Sequence, residues 1–343
     1  MSKRNYEISV LITFYNQEKY VDQAIKSVMN QSTDIPYKII VGDDGSTDHT
    51  VERVEIWKAR YPGQIELFIQ PRESNNKYIA GCRASRNRLA LLKHVETPYF
   101  IYLDGDDYWT DVNKLAVQYN ILEDKNNADC IACAHQIAMY NEENPNSVEK
   151  IPRFSLKEKK FSLDEYWEKY YFHTDTMLFR ISVIDKLPWG IIEDSFNDNL
   201  ITFCFLQFGK MYYLPRCMAA YRQNSNGIWA GEKLATNIFR NIISYDLELQ
   251  INPEIESIIR VRHLVDFITA FKNRNVFSKI TNDYYELAKK YMCKTALGLI
   301  SDDYFLQRKG IKEYFNLMFL CVYGKYTNLK MLNDIEFFPY SKR

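Results

Sequence analysis

Three carboxylates stand within four positions at Asp104, Asp106 and Asp107, directly after the run Tyr99-Phe100-Ile101-Tyr102-Leu103. Crowded acids raise one another's proton affinity, so such a cluster calls for a cation. Side chains alternate along an extended backbone, which sends Asp104 and Asp106 to the same side. Two same-side carboxylates suit a hard divalent ion, Mn2+ or Mg2+, which keeps positions open for phosphate oxygens. Gly105 lets the backbone bend close to a ligand, and Asp107 is expected to brace the turn. Short acidic triplets also occur in plain solvated turns. What marks this one is its place at the end of a buried strand, the edge where open α/β sheets bind ligands.

The elements that position this edge are legible upstream. Ile8-Ser9-Val10-Leu11-Ile12-Thr13-Phe14 is almost continuously apolar, as in a parallel strand buried on both faces. It runs into the polar turn Tyr15-Asn16-Gln17-Glu18, and Val21, Ala24, Ile25 and Val28 then recur at helical spacing. A second strand, 37–41, ends in Gly42-Asp43-Asp44-Gly45-Ser46-Thr47-Asp48. Thr47 or Asp48 fits the N-cap of a helix carrying Val51, Val54 and Trp57. A third strand at 65–69 and a helix over 80–94 lead to the acidic strand. This alternation predicts an α/β, doubly wound, Rossmann-like and mostly parallel sheet. No G-x-G-x-x-G follows the first or second strand, and the phosphate-cradling P-loop is missing too. A metal on Asp104 and Asp106 is the natural substitute for a glycine-rich turn in holding a diphosphate.

The chain has 343 residues, enough for two domains or one large domain with an extension. Lys+Arg and Asp+Glu are both 44, and a net charge of zero argues against bulk electrostatic binding, so no nucleic-acid partner is expected. The seven cysteines (82, 130, 133, 204, 217, 293 and 321) are scattered. Cys130 and Cys133 form a lone C-x-x-C without a second pair, in what reads as a core strand. Reduced thiols in a cytoplasmic protein are the expectation. No signal-peptide-length apolar core opens the sequence, and no stretch reaches the roughly 18 apolar residues of a membrane span.

Four segments together resemble the family 2 glycosyltransferases of GT-A fold, of the bacterial polysaccharide-biosynthesis type. They are Val-Leu-Ile-Thr-Phe-Tyr-Asn at 10–16, Val-Gly-Asp-Asp-Gly-Ser-Thr-Asp at 41–48, Arg86-Asn87, and Tyr-Leu-Asp-Gly-Asp-Asp-Tyr-Trp at 102–109. The resemblance spans about residues 6–230 and implies inverting transfer of a sugar from a nucleotide diphosphate donor, a UDP-sugar foremost, to a glycan or lipid-linked acceptor. It places Thr13, Tyr15, Asn16 and Glu18 around the base and ribose. Asp44 would accept from a uracil-type ring N–H, as an acceptor-only carboxylate can, with Asp43 more structural. Arg86 would lie near ribose or diphosphate, with Arg83 and Arg88 competing for that role. Asp104 would touch ribose and metal, and Asp106 would be the main metal ligand.

Farther on, 208–215 resembles the family's G-K-x-Y-Y-L-P turn and strand, after a helix expected over 200–208. The acid at the start of that helix would be the catalytic base. Asp198 fits best and Asp194 competes, although both could merely favour a helix N-terminus. Residues 172–180 resemble the acceptor-side strand, where His173 would meet acceptor or phosphate. The closing loop at 221–229 carries Asn224 where the family has His.

The expected domains are a catalytic one at 1–232, with a nucleotide-sugar half at 1–110 and an acceptor half at 111–232, and a helical region at 233–343. In the latter, Ile258, Val261, Val265 and Ile268 step at helical spacing. Residues 315–323, apolar but too short to span a bilayer, suggest either a docked helix or a peripheral contact at the inner face of the membrane. Two other classes compete for these motifs: a non-catalytic nucleotide-binding partner of a glycan-assembly complex, and a nucleotidyltransferase. The latter would want a basic, glycine-rich loop where Thr13-Phe14-Tyr15-Asn16 stands.

Overall fold

A computed structural model of the chain describes residues 6–71, 80–142, 144–152, 157–192, 196–223, 244, 246–256 and 258–259. The apolar run at the start forms β1 (Ile8–Phe14), sealed on both faces as its composition requires. There follow α1 (Val21–Met29), β2 (Tyr37–Asp43), α2 (Thr50–Arg60), β3 (Ile65–Ile69), α3 (Ala80–Leu92) and β4 (Tyr99–Asp104). β1 pairs in parallel with β2 and β4, and β3 pairs in parallel with β2. The register sets Thr13 opposite both Gly42 and Asp104, so all three strands end at one edge.

The second half adds β5 (Tyr108–Trp109), α4 (Lys114–Glu123), β6 (Cys130–Asn141), β7 (Asn144–Ile151), β8 (Lys159–Phe161), α5 (Leu163–Lys169), β9 (Leu178–Arg180), α6 (Trp189–Ile192), α7 (Asp198–Leu206) and β10 (Lys210–Gln223). The sheet runs β3-β2-β1-β4-β9-β6-β10-β5, with β7 on β6 and β8 on β10. Short β9 runs antiparallel to both β4 and β6 and joins the two halves. The C-x-x-C lies in β6, and Cys130, Cys133, Cys204 and Cys217 are free thiols. Burial pushes Cys133 up to about 12 and Cys130 up to about 11, so both stay protonated core residues.

Some boundaries differ from those the sequence predicts. At α2 neither Thr47 nor Asp48 is the cap: His49 holds that position without a side-chain bond, and Asp48 Oδ1 accepts from Thr50 N at 3.0 Å. α7 starts at Asp198, because the Asn197 side chain caps it by accepting from Leu200 N at 3.0 Å. In 172–180 only β9 forms a paired strand. Thr174–Thr176 is a 3-10 turn, closed by Thr176 Oγ1 donating to His173 O at 2.6 Å.

The chain divides into two compact units, Met1–Tyr166 with Tyr170–Gly231, and Trp167–Lys169 with Glu232–Arg343. In the second, Trp167 Nε1 donates to Glu248 Oε2 at 3.2 Å, and a 3-10 turn at Pro253–Ile255 is capped by Asn252. Of the expected C-terminal helices, Ile258 lies in a helical stretch, whereas Val261, Val265, Ile268 and 315–323 lie outside the described residues. Among the described residues no helix is long and apolar enough to cross a membrane.

Candidate active site

The edge shared by β1, β2 and β4 is built by close backbone approach. Gly105 N donates to Thr13 O at 3.0 Å, and Asp44 N donates to Phe14 O at 3.0 Å. Gly42 serves a similar end: Asn87 Nδ2 donates to its carbonyl at 2.9 Å, and a Cβ at 42 would collide with the Asn87 side chain.

The turns after β1 and β2 are tied to each other. Asn16, at φ 49°, receives Thr47 N on its Oδ1 at 2.8 Å and donates its own N–H to Ser46 Oγ at 2.9 Å. Asparagine is among the residues that tolerate this left-handed backbone. Glu18 Oε2 accepts from His49 N at 2.9 Å, and Glu18 N donates to Asp48 Oδ2 at 3.1 Å. Asp43 is fully buried and folds onto Ser46, accepting from its N at 2.7 Å and its Oγ at 2.5 Å. Asn16 and Glu18, expected around base and ribose, thus join one turn to the next. Tyr15 is more open, at 37% exposure. Thr13 Oγ1 lies 3.4 Å from Asp104 Oδ1.

The three arginines of α3 separate by position on the helix. Arg83 binds Asp44 through both carboxylate oxygens, Nε to Oδ2 at 2.7 Å and Nη2 to Oδ1 at 2.5 Å. Arg88 donates from Nη2 to both oxygens of Asp104, at 2.7 and 2.8 Å, and from Nη1 to Asp198 Oδ1 at 2.8 Å. Arg86 is half-buried between them in sequence. One guanidinium therefore joins the acid at the end of β4 to the acid at the start of α7, which lies 94 residues away in sequence (198 − 104).

Asp198 is also reached by Tyr171 OH at 3.1 Å and stands 3.8 Å from His173 Nε2. Burial works to raise its carboxyl, but Arg88 and then His173 outweigh it and hold Asp198 below its ordinary value. Burial likewise works to lower His173, and Asp175, Asp198 and Asp104 outweigh it, so the imidazole is held above its ordinary value.

Asp104, Asp107, His173 and Asp175 offer ligand atoms that all lie within 4.8 Å of one another. Asp175 Oδ1 accepts from Asp104 N at 3.0 Å, and Asp107 Oδ1 accepts from Arg222 N at 2.7 Å. The remaining oxygen of each, Oδ2, is buried and makes no hydrogen bond among the described residues, with His173 Nδ1 standing 3.6 Å from that of Asp175. Three carboxylates, two with an unsatisfied oxygen, and one imidazole fit a hard divalent ion. Asp106 is half-buried in the same turn, its carbonyl accepting from Arg222 Nη1, but it is not one of the four convergent residues. Asp194 and Asn224 lie outside the described residues. Asp175 escaped the sequence reading, although His173-x-Asp175 within an acceptor-side segment is a signal that would have found it.

These groups set a pH response. Burial pushes Asp175 up to about 6, with nearby Asp104 adding to the effect and His173 opposing it, and burial raises Asp107 well above its ordinary value. Unfolded, both carboxyls titrate near about 3.9. Between about pH 4 and 6 the folded chain binds more protons than the unfolded one, so stability falls as pH rises. His173 acts in the same sense, its contribution being lost as pH rises through its elevated folded value. Asp198, with a depressed value, loses its contribution only below about pH 4. The metal-free protein should therefore melt at a higher temperature near about pH 5 than near about pH 8, and Asp175→Asn should flatten that slope. Thermal scans across this range check it, and a melting temperature that climbs from pH 5 to 8 would contradict the assignment.

Known proteins bear on this geometry. The family described as Glycosyl transferase family 2 matches residues 9–188. An uncharacterized protein of Mycobacterium tuberculosis, Rv1520, is 28% identical over 223 residues, 65% of this chain and 60% of that protein. Staphylococcus aureus TarS, a poly(ribitol-phosphate) beta-N-acetylglucosaminyltransferase, is 32% identical over 105 residues, 30% of this chain and 16% of its own length. The chain thus spans less than two thirds of the curated relatives it matches. A crystal structure of TarS 1–349 in complex with UDP-GlcNAc has the same fold, with TM-score 0.62 and 17% identity over 94% of this chain and 93% of that one. The mannosyltransferase PcManGT of Pyrobaculum calidifontis, in complex with GDP-Man and Mn2+, gives 0.53 at 12% identity over 94% and 89%. A mostly parallel GT-A sheet, an acidic edge at β4 and a family match across more than half of its length lead to one conclusion: the chain belongs to glycosyl transferase family 2.

Proposed function

We propose that the chain is an inverting glycosyltransferase, moving a sugar from a nucleotide diphosphate donor, a UDP-sugar foremost, to an acceptor hydroxyl in polysaccharide or glycolipid synthesis. The observation that carries this reading is the Arg88 bridge, which puts Asp104 of the nucleotide edge and Asp198 of α7 on a single guanidinium. A donor-side acid and an ionised acid from a distant part of the same chain are thereby held together. UDP-GlcNAc in the TarS complex supports a UDP-sugar, and Mn2+ in the PcManGT complex supports a divalent ion.

In this reading Asp104 and Asp106 hold Mn2+ or Mg2+, with Asp107, His173 and Asp175, which converge with Asp104, as further candidate ligands, while Thr13, Tyr15, Asn16, Glu18, Asp44 and Arg86 line the donor side. The ion would supply charge neutralisation for the departing diphosphate. Asp198 takes the proton of the acceptor hydroxyl as its oxygen bonds to the anomeric carbon, and the bond from that carbon to the diphosphate oxygen breaks. One displacement inverts the anomeric centre. Residues 1–232 would form the catalytic domain and 233–343 a helical region, in a cytoplasmic protein working beside a glycan or lipid-linked acceptor at the inner face of the membrane.

Nucleotide release from UDP-, GDP- and dTDP-sugars with Mn2+ or Mg2+ tests this in wild type, Asp106→Ala and Asp198→Asn. Metal-dependent release from one donor, lost in Asp106→Ala, is the expected result. No binding of any nucleotide would sink the donor-site assignment. Binding with no turnover against any acceptor would favour a non-catalytic partner in glycan assembly.

A further inference from the structure

Arg88 occupies the carboxylate that the reading above gives to a cation. Its Nη2 engages both oxygens of Asp104, and its Nη1 engages Asp198. The side chains are largely shielded, with 11% exposure for Arg88, 23% for Asp104 and 13% for Asp198. A guanidinium cannot shed its proton to make way for a second positive charge. Two positive charges a few ångströms apart repel strongly where water is scarce. The backbone under Arg88 is pinned, since Tyr102 OH donates to Arg88 O at 2.9 Å. What can yield is the side chain.

We propose that Arg88 is a positioning residue that competes with the divalent cation for Asp104. It holds Asp104 and Asp198 as one ion-paired unit until a cation takes Asp104, after which it stays with Asp198 alone. This rests on the reading of Asp104 as a metal ligand. Its consequence is that loading the donor side changes what Arg88 does for the acid across the site, so the two halves of the active site communicate through one side chain.

The test is Mn2+ binding to the full chain without nucleotide, followed by the electron paramagnetic resonance signal of free Mn2+. Wild type is compared with Arg88→Gln, Arg88→Lys, Asp104→Asn and Arg83→Gln. The last removes an equally shielded arginine of the same helix, paired with Asp44, and so measures the plain effect of losing a positive charge. Arg88→Gln should bind Mn2+ at least about ten-fold more tightly, the scale of charge-assisted hydrogen bonds. Arg88→Lys should gain less, Arg83→Gln much less again, and Asp104→Asn should bind more weakly than wild type.

Weaker binding in Asp104→Asn without a gain in Arg88→Gln overturns the competition and leaves the metal reading standing. Unchanged binding in Asp104→Asn sinks the metal reading and the competition with it. Equal gains in Arg83→Gln and Arg88→Gln reduce the effect to bulk charge and also overturn it, as does no detectable Mn2+ binding by any form at millimolar ion. Circular dichroism melting shows which variants fold, and Arg88→Lys carries the test if Arg88→Gln does not.

Discussion

Asp198→Asn should lower kcat by about 10²- to 10⁴-fold, the usual worth of a positioned general base, while leaving donor affinity within a few-fold of wild type. Asparagine keeps one carbonyl oxygen to accept from Arg88, the partner at 2.8 Å, and its amide N–H can donate to Tyr171 OH, at 3.1 Å from the other oxygen, once that hydroxyl turns its own proton away. What it removes is the ability to take a proton. The rival role for Asp198, first-turn acid of α7 and counter-charge to Arg88, predicts another outcome: a lower melting temperature with kcat nearly intact. Steady-state rates with saturating donor and acceptor, alongside a melting curve, separate the two.

Gly105→Ala should be among the most destabilising single-methyl additions at the edge formed by β1, β2 and β4. Its Cβ would overlap the Phe14 ring and lie 2.6 Å from Thr13 O. A side chain alone can rotate aside, but the carbonyl belongs to β1 and already accepts from Gly105 N at 3.0 Å. Relief requires parting β1 from β4 where Thr13 faces Asp104. Overpacking of this kind costs about 1–3 kcal/mol, and rigid backbone on one side puts this position at the upper end. Chemical denaturation reads the loss, and a variant as stable as wild type would show that the turn after β4 yields more easily than its contacts imply.

The acidic edge shared by β1, β2 and β4 was legible because its signals are local. β1, β2 and β4 announce themselves as apolar runs that end in polar turns, and the acids of β4 follow from where the run stops. The choice among Arg83, Arg86 and Arg88 was not local. It depends on how α3 is rotated against the sheet, which the helix's own small contrast between faces does not set. Arg83 meets Asp44 and Arg88 meets Asp104 only once tertiary packing fixes that rotation. Asp175 was hidden for a related reason. It enters the site through the 3-10 turn at Thr174–Thr176, a break in a segment whose composition suggests continuous strand. The starts of α2 and α7 moved by a residue or two because several neighbouring polar side chains compete to cap each helix, and sequence ranks them poorly.

The clasp between the turns after β1 and β2 has a thermodynamic consequence. Asn16, Glu18, Ser46, Thr47, Asp48 and His49 fix one another through side chain to backbone bonds that need no ligand. The conformational entropy of these turns is surrendered when the chain folds, not when a small molecule arrives. A nucleoside docking there would meet a rigid cradle, so calorimetry should show binding with little ordering penalty, and amides such as those of Thr47 and His49 should already exchange slowly in the empty protein.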